Sequence, residues 1–216
     1  MIRAVVFDWG GVIQRTTDAR PREELAAALG LTRPALEAAV FESAVWDAAS
    51  RGALSAEETW GAIAHAVGWP AERVNCLVER FFAGDRVDED LLRLIRGLRA
   101  GGVPVALLSN APPSRAGSAG QAGRWGMDGL FDVQVFSYEV GELKPHPATY
   151  QRVLAALGVP AEGTLFIDDA PANIAGARSA GMGALLFTGT RALYEELRRR
   201  GLPVPARSAP GQQPSA

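Results

Sequence analysis

Ala4-Val5-Val6-Phe7-Asp8-Trp9-Gly10-Gly11-Val12-Ile13 sets four apolar residues in a row and stops them with a carboxylate, a tryptophan and two glycines. So short and unbroken an apolar run reads as a strand buried on both faces, ending where Asp8 emerges. Comparable runs recur at Val103–Leu108, Val133–Phe136, Thr164–Ile167 and Ala184–Phe187. Between the later ones the spacing turns helical: Leu91, Leu92, Leu94, Ile95 and Leu98 share one face, as do Tyr150, Val153, Leu154 and Leu157. Gly158 and Gly181 stand where helix C-caps are expected, and Pro171 suits a first helical turn. Alternating strand and helix predicts an α/β fold with a parallel sheet covered on both faces.

From Thr16 to Arg86 the alternation lapses and only helical signals remain. Ser55-Ala56-Glu57-Glu58 fits a capping box ahead of Trp60, Ile63 and Val67, and Pro70-Ala71-Glu72 opens a helix carrying Val74, Leu77, Val78, Phe81 and Phe82. The expected organisation is therefore a core of residues 1–15 and 87–202, a helical insertion over 16–86, and a mobile tail over 203–216, where four prolines stand in a stretch without hydrophobic periodicity. A glycine-rich stretch, Ala116–Gly129, follows the second apolar run.

The 216 residues suit one domain with a sizeable insertion, and 48% hydrophobic with 21% charged residues is a globular composition. Lys and Arg number 22 against 24 Asp and Glu, a net charge of −2 that offers no positive field to nucleic acid or acidic lipid. The single cysteine, Cys76, can form neither an intramolecular disulfide nor a thiolate metal cluster. The first apolar run falls short of the ~7–15 residues of a signal peptide, and none approaches the ~18 of a membrane span. The expectation is a soluble, cytoplasmic protein with neither nucleic acid nor membrane as partner.

Ligands of open parallel sheets bind beyond the carboxyl ends of the strands. There the chain supplies Asp8 with Gly10 and Gly11, then Ser109-Asn110, then Glu142-Leu143-Lys144-Pro145, then Asp168-Asp169 with Asn173. Carboxylates from two strands can hold Mg2+ while lysine and small donors offset phosphate charge, a set coherent for phosphoryl transfer. Asp8, beside glycines whose backbone can approach a ligand, is the best placed nucleophile. Each motif alone has a plain structural reading: a turn at Asp8, an exposed loop at Lys144, a helix cap at Asp168 to Asn173. Their coincidence at successive strand ends is what carries weight.

In order, Phe7-Asp8-Trp9-Gly10-Gly11-Val12-Ile13, Leu107-Leu108-Ser109-Asn110, Gly141-Glu142-Leu143-Lys144-Pro145-His146-Pro147 with Tyr150, and Phe166-Ile167-Asp168-Asp169-Ala170-Pro171-Ala172-Asn173 resemble the haloacid dehalogenase (HAD) superfamily, in which phosphatases predominate. The resemblance implies a Rossmann-like three-layer core with an inserted helical cap. It implies Asp8 as nucleophile and Lys144 as its catalytic partner, with Asp8, the Gly10 carbonyl and Asp168 holding Mg2+. Phosphate would be held by Gly11, Ser109, Asn110 and Lys144, with Asp169 and Asn173 supporting the metal site from behind. One departure stands out: the phosphatase motif carries a second Asp two residues after the nucleophile as general acid/base, and this chain has Gly10. Substrates whose leaving oxygen needs little protonation, such as anomeric sugar phosphates, would then suffer least. His146 is a candidate substitute acid/base, though an exposed loop position explains it too.

The implied activity is Mg2+-dependent hydrolysis of small phosphomonoesters, among them sugar phosphates. Two alternatives stay open. A metal-free 2-haloacid dehalogenase shares Asp8, Ser109-Asn110, Lys144 and Tyr150, but paired carboxylates at Asp168-Asp169 fit it poorly. A non-catalytic phospho-ligand-binding protein would account for Gly10.

Overall fold

The computed structural model describes residues 1–114 and 129–206. Most of the glycine-rich stretch, with Trp125, and the chain after 206 lie outside the described residues. In chain order, β1 (Ala4–Phe7) and β2 (Gln14–Thr16) precede α1 (Arg20–Ala28), α2 (Arg33–Phe41), α3 (Ala44–Ser50), α4 (Ala56–Ala66) and α5 (Val74–Phe81). The chain returns through β3 (Asp85–Val87) to α6 (Glu89–Ala100), β4 (Val105–Ser109), β5 (Val133–Phe136) and α7 (Ser137–Val140). It continues with α8 (Pro147–Leu157), β6 (Thr164–Asp168), α9 (Pro171–Ser179), β7 (Gly183–Leu186) and α10 (Thr190–Arg199).

Five parallel strands lie in the order β5-β4-β1-β6-β7, so β1 is central and buried throughout. Val5 and Phe7 pack on one face with Leu91, Ile95, Leu98, Tyr194 and Leu197 from α6 and α10. Val6 packs on the other with Tyr150, Val153, Ile174 and Ala177 from α8 and α9. Both faces are covered, which is why each strand reads as a continuous apolar run rather than an alternating one. In register, Phe7 stands between Leu107 and Ile167. One step on, Asp8, Leu108 and Asp168 reach the carboxyl edge of three adjacent strands together.

The helices between β2 and β3 close around their own cluster of Leu25, Leu36, Val40, Trp60, Ile63, Leu77 and Phe81. Side chains of Thr32, Ser43 and Ser55 cap α2, α3 and α4, and Ser55 with Glu58 forms the full capping box. The sequence reading of helix alone from Thr16 to Arg86 needs correction, because β2 and β3 pair as an antiparallel ribbon, with Thr16 opposite Asp85 and Arg15 opposite Arg86. Strands of three residues rich in polar side chains leave no apolar run to detect. A second connection forms where Ser137 Oγ donates to the Ser50 carbonyl at 2.7 Å and Arg51 pairs with Glu142.

Residues 203–206, expected within a mobile tail, are packed against the core. Val204 packs against the sheet's core cluster, and Arg198 donates to the Pro205 carbonyl at 2.8 Å. A Cβ on Gly101, just after α6, or on Gly97 within it would meet the rings of Pro203 and Pro205 at 2.4 and 2.6 Å. The two glycines thus make room for Pro203 and Pro205, a contact that composition could not reveal.

Candidate active site

The rung of Asp8, Leu108 and Asp168 is bridged by one ammonium group. Lys144 Nζ donates to Asp8 Oδ1 at 2.6 Å, to the Leu108 carbonyl at 3.0 Å and to Asp168 Oδ2 at 2.8 Å, satisfying all three of its protons. All three side chains are buried, Lys144 at 1% exposure and Asp8 at 9%. Asn110 fixes the lysine's backbone: its amide nitrogen donates to the Lys144 carbonyl and its oxygen accepts from the Lys144 N–H, at 3.0 and 2.8 Å. Both ends of this side chain, an expected phosphate ligand, therefore help to place Lys144.

Asp168 is oriented in turn. Its Oδ1 accepts from the Ala170 N–H at 2.8 Å, and Asn173 donates to both of its oxygens at 3.1 and 3.0 Å. Tyr150, buried beneath, donates to the Asn173 carbonyl at 2.8 Å, so its hydroxyl supports the first turn of α9. Asp169 stands against Gly11, where a Cβ would come within 2.1 Å of its Oδ2 and where φ is +82°. Only glycine fits there. The Gly11 N–H donates to the Gln14 carbonyl at 2.9 Å. Gly10 differs: a Cβ built on it meets nothing within 4 Å.

Charge in the site is unbalanced. One oxygen each from Asp8, Asp168 and Asp169 lie within 4.8 Å of one another, against a single lysine. Burial, opposed by Lys144 and aided by Asp168, pushes the Asp8 carboxyl up from 3.8 to about 6. Burial and Asp168 likewise raise Asp169. Burial works against the Lys144 charge, but Asp8 and Asp168 outweigh it and hold its pKa above the ordinary range. An all-oxygen donor set carrying two uncompensated negative charges fits a hard divalent cation.

Over this edge lies a cavity of about 510 Å3, floored by Gly10, Gly11, Ser109, Asn110 and Asp169 and walled on the helical side by Phe41, Trp46 and Phe82. A family model of haloacid dehalogenase-like hydrolases matches residues 2–181. The chain belongs to the haloacid dehalogenase-like hydrolases. This hydrolase is 26% identical over 198 residues to sesquiterpene phosphatase astK of Aspergillus oryzae, covering 91% of this chain and 95% of the relative. Its fold matches a HAD family enzyme of Bacteroides thetaiotaomicron in complex with magnesium and inorganic phosphate, with TM-score 0.67 and 20% identity over 86% of this chain and 94% of that one. It also matches the L-2-haloacid dehalogenase RSc1362, with TM-score 0.62 and 26% identity over 87% and 86% of the two chains.

The HAD hydrolase carries a second polar group that sequence reading missed. Trp9 Nε1 donates to Gln14 Oε1, and Gln14 Nε2 donates to Asp85 Oδ2 at 2.9 Å. Asp85 also accepts from Thr16 at 2.8 Å and from Arg22 at 2.8 and 3.0 Å. A partly buried chain of bonds thus runs from the residue after Asp8 into the helical insertion. Its members lie up to 76 positions apart with no shared spacing, so only the fold reveals it. His146 is exposed and caps α8 through Nδ1, accepting from the Ala148 N–H at 3.3 Å. No helix among the described residues is long and apolar enough to cross a membrane.

Proposed function

We propose that the hydrolase cleaves phosphate monoesters, taking the phosphoryl group onto Asp8 and then losing it to water, with the helical insertion acting as a cap over the site. The observation that carries this reading is the charge set, in which three converging carboxylates face one buried lysine below a cavity. The relationship to a protein named as a phosphatase over 91% of the chain supports it.

Asp8 attacks phosphorus as the ester oxygen departs, and the Lys144 ammonium offsets the charge that develops on the phosphoryl oxygens. Ser109, buried at the end of β4, offers a hydroxyl to the same group. Asp8, Asp168, Asp169 and the Gly10 carbonyl would hold Mg2+, which supplies neutralising charge to the transferring phosphoryl group. Asn173 keeps both Asp168 oxygens aligned, and Asn110 keeps the lysine at the rung. Water then attacks the aspartyl phosphate and frees the carboxylate.

The test is phosphate release from p-nitrophenyl phosphate by the wild type and Asp8→Asn, with Mg2+ and with EDTA. Release that needs both Asp8 and the metal supports the reading. Halide release from 2-chloropropionate that survives EDTA, or tight binding of phosphate esters without any turnover, contradicts it.

A further inference from the structure

The cavity above the rung has two chemically different ends. At the floor are the glycines, Ser109 and Asp169; the opposite wall presents aromatic rings. Phe41 from the end of α2 is 41% exposed, and Trp46 and Phe82 are half-buried. These rings are held edge-on: Phe41 meets Trp46 at 5.3 Å with planes at 90°, and Trp60 braces Phe82 at 5.8 Å. Water is a poor solvent for such a surface, and an apolar group covering it is favoured.

The polar residues of that wall are already engaged. Gln14 is bonded to Trp9 and Asp85, and Thr16 to Asp85. Arg22 is divided among Asp85, Glu37 and the Phe81 carbonyl. Arg15 is tied to Asp88 and the Val12 carbonyl. A polyhydroxylated group placed there would have to share groups that already hold partners, whereas an apolar group covers the rings without that competition. Both arginines are paired with carboxylates, which offsets their charge toward a second anionic group. A volume of about 510 Å3 is within the range of sites that enclose a small organic molecule.

We propose that the substrate is the phosphate ester of a bulky, uncharged, apolar alcohol, its phosphate at the floor and its hydrocarbon against Phe41, Trp46 and Phe82. This specificity rests on the phosphatase reading for its chemistry but on the wall for its selectivity, so it departs from the expectation of sugar phosphates.

The test compares n-decyl phosphate, below micelle-forming concentrations, with glucose 6-phosphate; both release a primary alcohol, so leaving-group chemistry is matched. With Mg2+, the full chain should favour decyl phosphate at least roughly tenfold in kcat/KM. Asp8→Asn, titrated calorimetrically with the same two esters, should show the same preference in binding. Phe41→Ser, at a position already partly exposed, should shrink the preference severalfold through KM. Equal or reversed preference in binding, or a preference unmoved by Phe41→Ser, overturns the proposal. Selective binding without turnover by the wild type supports the assignment of the wall while rejecting the phosphatase reading.

Discussion

At the residue scale, Asp8 is held where its charge is expensive. Its pKa rises from 3.8 to about 6, chiefly through burial. Below about pH 4 the carboxyl is protonated folded or unfolded and the cost is absent; it grows between pH 4 and 6 and is complete above pH 6. Replacing Asp8 by Asn should therefore stabilise the metal-free protein at pH 7.5 by on the order of 1–3 kcal/mol, with the gain vanishing near pH 4. Urea unfolding in EDTA at both pH values measures this, and destabilisation at pH 7.5 would contradict it. The same variant should lose activity by at least roughly a thousandfold. Gly10 makes a different case, since open space surrounds the position where a Cβ would stand. Gly10→Asp should fold normally and accelerate hydrolysis of a primary-alcohol ester more than of glucose 1-phosphate, by about tenfold or more, as a general acid would. An equal effect on both esters counts against a missing acid. Asp8 and Asp168 were legible because each stands where an apolar run stops at a carboxylate. What Gly11 and Asn110 do was not, because a glycine N–H and an amide show their partners only in three dimensions.

At the scale of elements, the β2–β3 ribbon joins core and insertion and buries one ion pair. Arg22 and Asp85 are each 6% exposed at their side chains. Removing the carboxylate leaves the buried guanidinium with only Glu37 and the Phe81 carbonyl and takes the acceptor from the Gln14 amide nitrogen. Asp85→Ala should cost about 3–5 kcal/mol in chemical unfolding, as broken buried pairs do. A loss under 1 kcal/mol would mean that water already reaches the pair. The ribbon escaped sequence reading because strands of three mostly polar residues give no period. The five parallel strands and the Ser55 capping box were legible because apolar runs and cap spacings are local signals.

At the scale of the molecule, two connections, the ribbon and the Ser137–Ser50 contact with its Arg51–Glu142 pair, hold the insertion over the sheet edge and create the cavity. No sequence pattern encodes that space, because its wall and floor come from opposite ends of the fold. Uncompensated charge beneath it makes a global prediction. At a hundredfold excess over its Kd, Mg2+ should stabilise the fold by about 2.7 kcal/mol. For a chain of this size that is roughly 5–10 °C in Tm. Asp168→Asn should abolish most of the shift, and an equal shift in that variant would place the ion elsewhere. The central claim, phosphoryl transfer to Asp8, is tested most directly by trapping. Protein turning over a phosphate ester is quenched in acid and reduced with borohydride, then mapped by mass spectrometry for homoserine. The account predicts homoserine at position 8 and nowhere else; phosphate release with Asp8 unmodified, or modification at another carboxylate, would contradict it.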